Sequence, residues 1–591
     1  MQKIENMCKY IILMMWGVII FYLTFLSMRG TSAEAMRNTA APGEDPLYLS
    51  HVYYLLDNPW KHIIFLFVFV LFGVIIKQIL NKCGRKCNNI LGVLSNCKLG
   101  EGLLLLSLII GIAYILNTQL IPSSDPQKLQ VIAEEMHRGD FHQFLEGEYM
   151  HRYPFQSGFL LLIYYIMSIF SDKTFLFMQL LNVLAVTMTY YGVYKIVYII
   201  WSEKSNLILA LEILFLPMLL YTTFVYGNIL SFCMAIYAVY FEYKFFSEKK
   251  LLYAICSAIL ISLSIIFKSN SLIILCAMII YAVYYLICKE QKKNKLKMLV
   301  YIALIIFFYF AGNKIVEVHM ESIIDMELPE GMPKSTWIAM GLEEGGMAPG
   351  YWNGTSVSLY TENDYDYEKT NQAALENIVN SIKKYIKDWR LGLDFFGRKI
   401  AAEWNEPTFQ GIAISQGRVS EISIPAWMQS IYNGRGSIFL TNMLNMLQTW
   451  IYFGVCLYII SRFKKSSLDE LLFATIMIGG FIFHLFWEGK SQYVMNYFFL
   501  LIPYSVLGYQ LAVEKLSALI TNTRNGSLKF STKKDKIVVG MVFLLLLFMI
   551  PAGKRITQMK TYQYTLGVRS SDELLEEYDV MIRNMKEDKN F

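Results

Sequence analysis

Charged residues are scarce in this sequence. Asp, Glu, Lys and Arg make up 17% of the 591 residues and apolar residues make up 55%, whereas a soluble domain has about 25% charged and 45–50% apolar residues. The apolar residues are gathered into runs of roughly 15–25 residues, about the length that crosses the hydrocarbon of a bilayer as a helix. This composition excludes a soluble globular protein and predicts an all-α polytopic membrane protein.

Several functional classes lack their sequence signals. There is no G-x-x-x-x-G-K-[ST] loop, so nothing indicates a nucleotide-driven pump, and no internal repeat of the kind found in many transporters. The net charge of +6 does not indicate nucleic-acid binding, because Lys and Arg cluster in short loops between apolar runs. That distribution is typical of cytoplasmic loops.

Cysteines are few and unevenly placed. The chain has nine, and none falls in 118–155 or 313–437, the two segments that we predict to face outward, so no disulfide framework is implied. Cys83, Cys87 and Cys97 share one loop without a histidine, which is a weak zinc signal.

The basic loops orient the helices. Four loops rich in Lys are predicted to lie inside, at 243–250, 288–297, 461–467 and 529–536. This orientation places four other segments outside: Gly227–Asn228, Lys268–Asn270, the long loop 313–437 and Glu488–Tyr493.

The count of apolar runs raises a parity problem. Seven runs separate the outer loop 118–155 from the outer loop 313–437, but two loops on one face require an even number of crossings. The short run Phe155–Phe170 is the best candidate for a segment that is re-entrant or lies partly in the outer interface. The alternative, a cytoplasmic long loop, would put the basic segment 288–297 outside.

The predicted organisation has about 13 transmembrane helices in five parts. These parts are two N-terminal helices with their loops (1–101), a transmembrane module whose first outer loop is 118–155 (102–312), a long outer loop (313–437), C-terminal transmembrane helices (438–552) and a polar tail (553–591).

The long loop 313–437 contains an amphipathic stripe. Apolar residues recur at three- and four-residue steps, while lysines mark the other face. We expect a helix lying on the outer leaflet. The stripe consists of Leu375, Ile378, Val379, Ile382, Ile386 and Trp389.

The first outer loop begins with a second amphipathic helix. Asp125 followed by Pro126 predicts a helix start, with Asp125 as the capping residue, and Gly139 predicts its end. In one interpretation Asp125 only caps this helix. In the other the loop builds a pocket, because Ser123 and Ser124 offered uncharged caps and the loop exceeds 30 residues.

This loop, "IPSSDPQKLQVIAEEMHRGDF…YMHRYPFQSGFLLL", resembles the first outer loop of GT-C class membrane glycosyltransferases. It is most similar to the bacterial proteins that resemble dolichyl-phosphate-mannose protein mannosyltransferases (glycosyltransferase family 39). The resemblance spans most of residues 100–510 and does not reach residues 1–101. Further similar segments are "LNVL" at Leu181–Leu184, "TTFVYGN" at Thr222–Asn228, "FKSNSLI" at Phe267–Ile273 and "WEGKSQY" at Trp487–Tyr493.

The resemblance implies a GT-C-like helical bundle in the plasma membrane with its active site on the extracytoplasmic face. Its donor would be a polyprenyl-phosphate sugar, and its acceptor an envelope glycan, protein or lipid. The partners are thus these substrates and membrane lipid, with no nucleic acid. Some family members carry an Asp-Glu pair in the first loop, but Pro126 follows Asp125 here. A divalent cation is therefore left open, and no metal ligand is assigned.

The resemblance assigns candidate roles to the polar outer residues. Asp125 would be the general base of an inverting transfer. The cations Lys268, Lys490 and Arg152 would bind the donor phosphate. The candidate substrate-binding residues are Tyr153, Gln156, Asn228, Glu488, Tyr493 and Trp337.

Each assignment has a plainer alternative. Lys268 would otherwise extend its amine to the interface, Lys490 would pair with Glu488, and Arg152 would anchor to lipid phosphate. Tyr153 and Tyr493 also suit an aromatic interface belt. The rival function is a transporter or flippase of lipid-linked sugars, which would be expected to hold ionisable residues near the membrane midplane.

Overall fold

The computed structural model describes residues 2–38, 48–83, 97–118, 120, 124–202, 206–345, 347–419, 424–432 and 435–524. Within these ranges nine helices are long and apolar enough to cross a membrane, or up to eleven if each of two bent helix pairs is one crossing. The helical, multi-pass class is confirmed at this level. The total of about 13 stays a prediction, since the last apolar run and the tail 553–591 lie outside the described residues.

The first half of the chain is helical apart from one hairpin. In chain order its elements are α1 Gln2–Arg29, β1 Gly30–Asn38, β2 Tyr48–Leu56, α2 Pro59–Cys83, α3 Cys97–Thr118, α4 Ser124–His137, α5 Tyr149–Arg152, α6 Ser157–Phe170, α7 Thr174–Trp201, α8 Asn206–Leu214, α9 Pro217–Leu220, α10 Asn228–Glu248, α11 Leu251–Phe267, α12 Leu272–Tyr284 and α13 Lys292–Ile324.

The second half continues with short helices of the long loop and then further apolar helices. They are α14 Ser335–Gly341, α15 Thr355–Glu362, α16 Tyr367–Lys387, α17 Trp389–Trp404, α18 Ala413–Val419, α19 Ala426–Tyr432, α20 Arg435–Arg462, α21 Leu472–Phe486, α22 Ser491–Phe499 and α23 Ile502–Arg524.

The buried fraction of each apolar helix shows whether it lies at the centre or at the periphery of the bundle. Amino-acid composition alone does not distinguish the two. The most apolar window of α10 is 72% buried within the protein, whereas that of α13 is only 11% buried. Because both windows are apolar, the exposed surface of α13 must face lipid. The site described below is built where central helices end.

The loops sort to two ends of the bundle, as predicted from the positions of the basic segments. At one end Lys289 pairs with Glu5 at 3.1 Å and with Asp469 at 3.6 Å, and Lys249 pairs with Glu290. The segments that carry Asp125, Lys268 and Lys490 meet at the other end. Which end faces the cell exterior rests on the charge rule alone.

Helix α6 does not carry the chain across the bundle. Its 14 residues span about 21 Å, less than the hydrocarbon thickness of about 30 Å. Near its start, a Cβ on Gly158 would meet the backbone of Ile266 at the end of α11. Near the start of α7, Gln179 donates to the carbonyls of Leu120 and Thr223, at the same end of the bundle. The geometry therefore agrees with the non-crossing segment predicted from parity.

A β-hairpin interrupts the all-α architecture, which is a correction to the predicted fold class. Strands β1 and β2 pair antiparallel, with Gly30 opposite Leu56. The hairpin packs on the long loop: the Ser32 N–H donates to the Asn405 carbonyl at 2.9 Å, and the Asn405 side chain donates to the Gly30 carbonyl at 2.8 Å. These two hydrogen bonds attach the N-terminal hairpin to Asn405 of the long loop.

Five of the six residues of the predicted amphipathic stripe lie in α16, whereas Trp389 begins the next helix, α17, after Asp388. The apolar face of α16 is exposed, up to 76% for the Ile386 side chain. A second face is fixed to the protein, because buried Tyr385 donates to the Leu342 carbonyl at 2.7 Å. An exposed apolar stripe on a helix attached at this end of the bundle fits the surface of a lipid leaflet.

We expect the stripe of α16 to insert into the bilayer. An environment-sensitive fluorophore at Ile386→Cys, in protein reconstituted into lipid vesicles, should shift to the blue and be quenched by brominated acyl chains. The same fluorophore at Asn380→Cys, exposed on the polar face, should remain in water. Equal quenching at both positions, or at neither, would contradict membrane insertion of this helix.

Candidate functional site

Packing of α4 against α6 fixes Asp125. The helix begins at Ser124, one residue before the predicted cap, so Asp125 lies in its first turn. Buried Leu129 and Ile132 hold one face of α4 against the protein, and the His137 ring stacks on Tyr164 of α6 at 4.2 Å. The position of the carboxylate is therefore set by a helix packed along its length, not by a free loop.

A buried tyrosine orients the Asp125 carboxylate. The Tyr149 hydroxyl donates to Asp125 Oδ1 at 2.9 Å and accepts from Gln156 Nε2 at 2.7 Å. Burial, and then the charge of Asp125, raises the pKa of Tyr149 well above its usual value. Tyr149 therefore keeps its proton and acts as a donor. It was not among the predicted site residues, although it lies in the quoted loop.

Lys268 lies at the end of α11, where the charge of Asp125 acts on its amine. Its Nζ atom is 3.4 Å from the centre of the Tyr226 ring, a close cation–π contact. Burial lowers the pKa of Lys268 to about 7; Lys490 adds to the decrease, and Asp125 and Glu488 oppose it. Lys268 is therefore only partly charged near neutral pH.

Lys490 is the better compensated cation. Its Nζ forms an ion pair with Glu488 Oε1 at 3.0 Å, and the Tyr493 hydroxyl donates to Glu488 Oε2 at 3.1 Å. Burial alone would lower the pKa of Lys490, but Glu488, Tyr493 and Asp125 together raise it above its usual value. The pairing left open by the sequence is thus present, and it keeps Lys490 charged.

A polar pocket opens beside Lys268. The carboxamide oxygens of Asn228 and Asn496 in its wall have no hydrogen-bond partner within the described part of the chain. Buried polar atoms normally find partners, so these oxygens are open to a hydrogen bond from water or from a bound polar group. The pocket is lined by Asn228, Ser231, Lys268, Asn270, Ser271, Ile274, Gln492, Tyr493, Asn496 and Tyr497.

A glycine lets the pocket wall close tightly. Gly227 has φ of +80°, and a Cβ there would lie 2.6 Å from the Phe267 carbonyl. Any other residue would be strained and would clash with the chain that leads to Lys268. Gly227 thus brings Asn228, at the start of α10, next to Lys268.

An aromatic roof covers the site. The rings of Trp337 and Trp487 lie nearly parallel at 5.9 Å, and Tyr153 contacts Trp337 at 6.2 Å. Fully buried Lys399 donates to the carbonyls of Gly341 and Trp487, each at 2.6 Å, and so joins the two segments that carry the tryptophans. Trp337 is 9% exposed and belongs to this packing.

The structure brings most of the predicted residues together, but not all of them. Burial raises the pKa of Tyr153 to about 12, and the charges of Arg152, Asp125, Glu488 and Lys490 also act on it. The Arg152 guanidinium lies 5.8 Å from the Tyr153 ring. Arg152 and Trp337 thus both contact Tyr153, and neither lines the pocket beside Lys268.

The described residues contain no group of three or more His, Cys, Asp or Glu side chains arranged to hold a metal ion. The three loop cysteines do not test the zinc signal, because Cys87 lies outside the described residues and the side chains of Cys83 and Cys97 are not described either.

No known protein-family profile matches the chain, and no curated protein matches it. The resemblance to GT-C glycosyltransferases therefore remains an expectation from the sequence.

Anion binding should depend on the charge of Lys268. Its pKa of about 7 is below the usual lysine value, so the amine is charged below pH 7 and neutral above it. The affinity for a polyprenyl phosphodiester, whose own charge is constant, should fall about ten-fold or more between about pH 6 and about pH 8.5.

Lys268→Arg is the matched control for this titration, because arginine stays charged throughout that range. The variant should bind with nearly constant affinity. A flat profile for the wild type, or an equal slope in the arginine variant, would show that another group controls the binding.

Proposed function

We propose that this protein is a membrane glycosyltransferase that moves a sugar from a polyprenyl-phosphate donor to an acceptor of the cell envelope. The reaction would take place at the extracytoplasmic face of the plasma membrane and invert the anomeric centre. The observation that carries this proposal is that the charge of Asp125 acts on both Lys268 and Lys490 beside a polar pocket at one end of an apolar bundle.

These groups match the needs of the transfer. The acceptor oxygen attacks the anomeric carbon, and Asp125 takes the hydroxyl proton as the new bond forms. The bond from that carbon to the phosphate oxygen breaks, and its electron pair stays on the lipid phosphate. Lys268 and Lys490 stabilise that charge. Tyr149 holds one oxygen of Asp125 in place, which favours a defined direction for proton transfer.

The location of the pocket suits a lipid donor. Lys268 follows an apolar helix, α11, and Asn270 and Ser271 lead into another, α12. A phosphate in this pocket would therefore sit at the border of the apolar bundle while its polyprenyl tail remained in lipid. The unpartnered amide oxygens of Asn228 and Asn496 would accept hydrogen bonds from sugar hydroxyls.

A transporter of lipid-linked sugars is the second candidate, and one observation favours it. Glu212 in α8 and Glu242 in α10 are both fully buried. Glu212 has no hydrogen-bond partner among the described residues, and Glu242 is faced by Tyr301. Ionisable groups within membrane-spanning helices commonly mark transport paths.

Asp125→Asn tests the glycosyltransferase directly. The amide cannot accept the proton, so transfer from a polyprenyl-phosphate sugar should fall by about 100-fold or more at saturating donor. Glu148→Gln, an exposed acid in the same loop, is the matched control and should retain activity. Full transfer activity in Asp125→Asn would exclude Asp125 as the base.

The two candidates also predict opposite results for the buried acids. If the protein is a glycosyltransferase, Glu212→Gln and Glu242→Gln should keep transfer activity when they fold. If it is a transporter, those variants should stop translocation of a fluorescent lipid-linked sugar across vesicle membranes, and Asp125→Asn should not. Wild-type vesicles that translocate the lipid but never transfer its sugar would favour the transporter.

A further inference from the structure

Glu34 of the N-terminal hairpin is buried among residues of the long loop. It is 5% exposed and accepts hydrogen bonds from two distant side chains. The Tyr351 hydroxyl donates to Glu34 Oε2 at 3.1 Å, and Gln410 Nε2 donates to Oε1. Burying a carboxylate without hydrogen-bond partners would be costly. Tyr351 and Gln410 of the long loop therefore compensate the burial of Glu34 in the hairpin.

One route from Glu34 leads to Gly489. The Tyr351 ring lies against Gly489, where an added Cβ would be 3.4 Å from its Cδ2 atom. The Gly489 N–H donates to the carbonyl of Gly350, the neighbour of Tyr351, at 2.7 Å. Fixing Tyr351 therefore fixes the residue that immediately precedes Lys490.

A second route leads to Ser491. The Gln410 N–H donates to Glu406 Oε2 at 2.7 Å, and the Ser491 hydroxyl donates to the same oxygen at 3.2 Å. Ser491 is fully buried and immediately follows Lys490. The bonds from Glu34 through Gln410 and Glu406 therefore end on the other side of Lys490.

The second route passes through a strained turn at Phe409 and Gln410, which other groups must stabilise. Phe409 and Gln410 both have positive φ values, +50° and +65°. Residues with side chains adopt this region at a cost of about 1–3 kcal/mol each and keep it only where their surroundings impose it. Glu34 and Glu406 bind the side chain and the backbone of Gln410 respectively. Both therefore help to hold this turn, together with the packing of the buried Phe409 ring against Phe498.

We propose that Glu34 is a positioning residue for Lys490, acting through Tyr351 on Gly489 and through Gln410 and Glu406 on Ser491. The N-terminal unit 1–101, to which no role follows from the resemblance, thereby becomes part of the catalytic end of the molecule. The consequence for binding of the donor phosphate rests on the proposed function, whereas the consequence for the placement of Lys490 does not.

The placement is tested by labelling lysines of the full-length protein in lipid nanodiscs with an amine-reactive reagent and quantifying the modified peptides. The Lys490 side chain is 24% exposed, so its labelling is sensitive to local opening. Relative to exposed Lys387, labelling of Lys490 should rise about three-fold or more in Glu34→Ala, because the two supports of residues 489–491 are lost.

Two further variants separate positioning from general stability. Glu34→Gln should restore labelling close to wild type, since its amide can donate to the unpartnered Gln410 Oε1 while its oxygen still accepts from Tyr351. Ser491→Ala removes only the last bond of one route and should raise labelling without a large loss of thermal stability. Leu56→Ala, exposed in the same hairpin, should behave as wild type.

The binding of a polyprenyl phosphate is measured on the same samples. Glu34→Ala and Ser491→Ala should weaken it about ten-fold, because small misplacements of a binding group are costly. Unchanged labelling of Lys490 in both variants would overturn the proposal, even if Glu34→Ala melts at a lower temperature. Increased labelling in a protein whose wild type does not bind the lipid would support the positioning role and instead count against the proposed function.

Discussion

The site depends on the balance of charges buried at one end of an apolar bundle. Glu488 forms an ion pair with Lys490 there, and the charge of Asp125 acts on both lysines of the site. Removing one partner of a buried ion pair costs about 3–5 kcal/mol because the remaining charge is left uncompensated. The two lysines are stabilised in different ways. Lys490 forms an ion pair with Glu488, whereas Lys268 lies over the ring of Tyr226. A phosphate bound beside Lys268 would add a negative charge next to this amine and would therefore favour its protonated form.

Local patterns in the sequence predicted the elements that depend on local interactions. The three- and four-residue spacing identified α4 and α16, and Gly139, with φ of +76°, follows α4 closely. The parity of the loops identified the short helix α6. Asp125, Lys268 and Lys490 were expected at one place because their loops were assigned to one face, and the structure brings them there.

Such local patterns could not predict the contacts between segments that are far apart in the sequence. The pairing of β1 with β2 and the attachment of Glu34 to Gln410 follow from how three separate segments pack, which no periodicity records. Tyr149 and Tyr226 were not predicted, because nothing in the sequence records their contacts with Asp125 and Lys268 respectively. Trp337 was predicted as a substrate-binding residue, but in the structure its ring packs against Trp487. Nothing in the sequence indicated this contact.

The shortness of α6 has a consequence for biogenesis. The orientation of later helices is set as the chain is inserted, and α6 is apolar without completing a crossing. If substitutions lengthened this segment until it was inserted as a full span, every later loop would be driven to the opposite side of the membrane. Lys268 and Lys490 would then be separated from Asp125 by the whole bilayer. The apolar length of this helix therefore has an upper limit set by the topology of the finished protein.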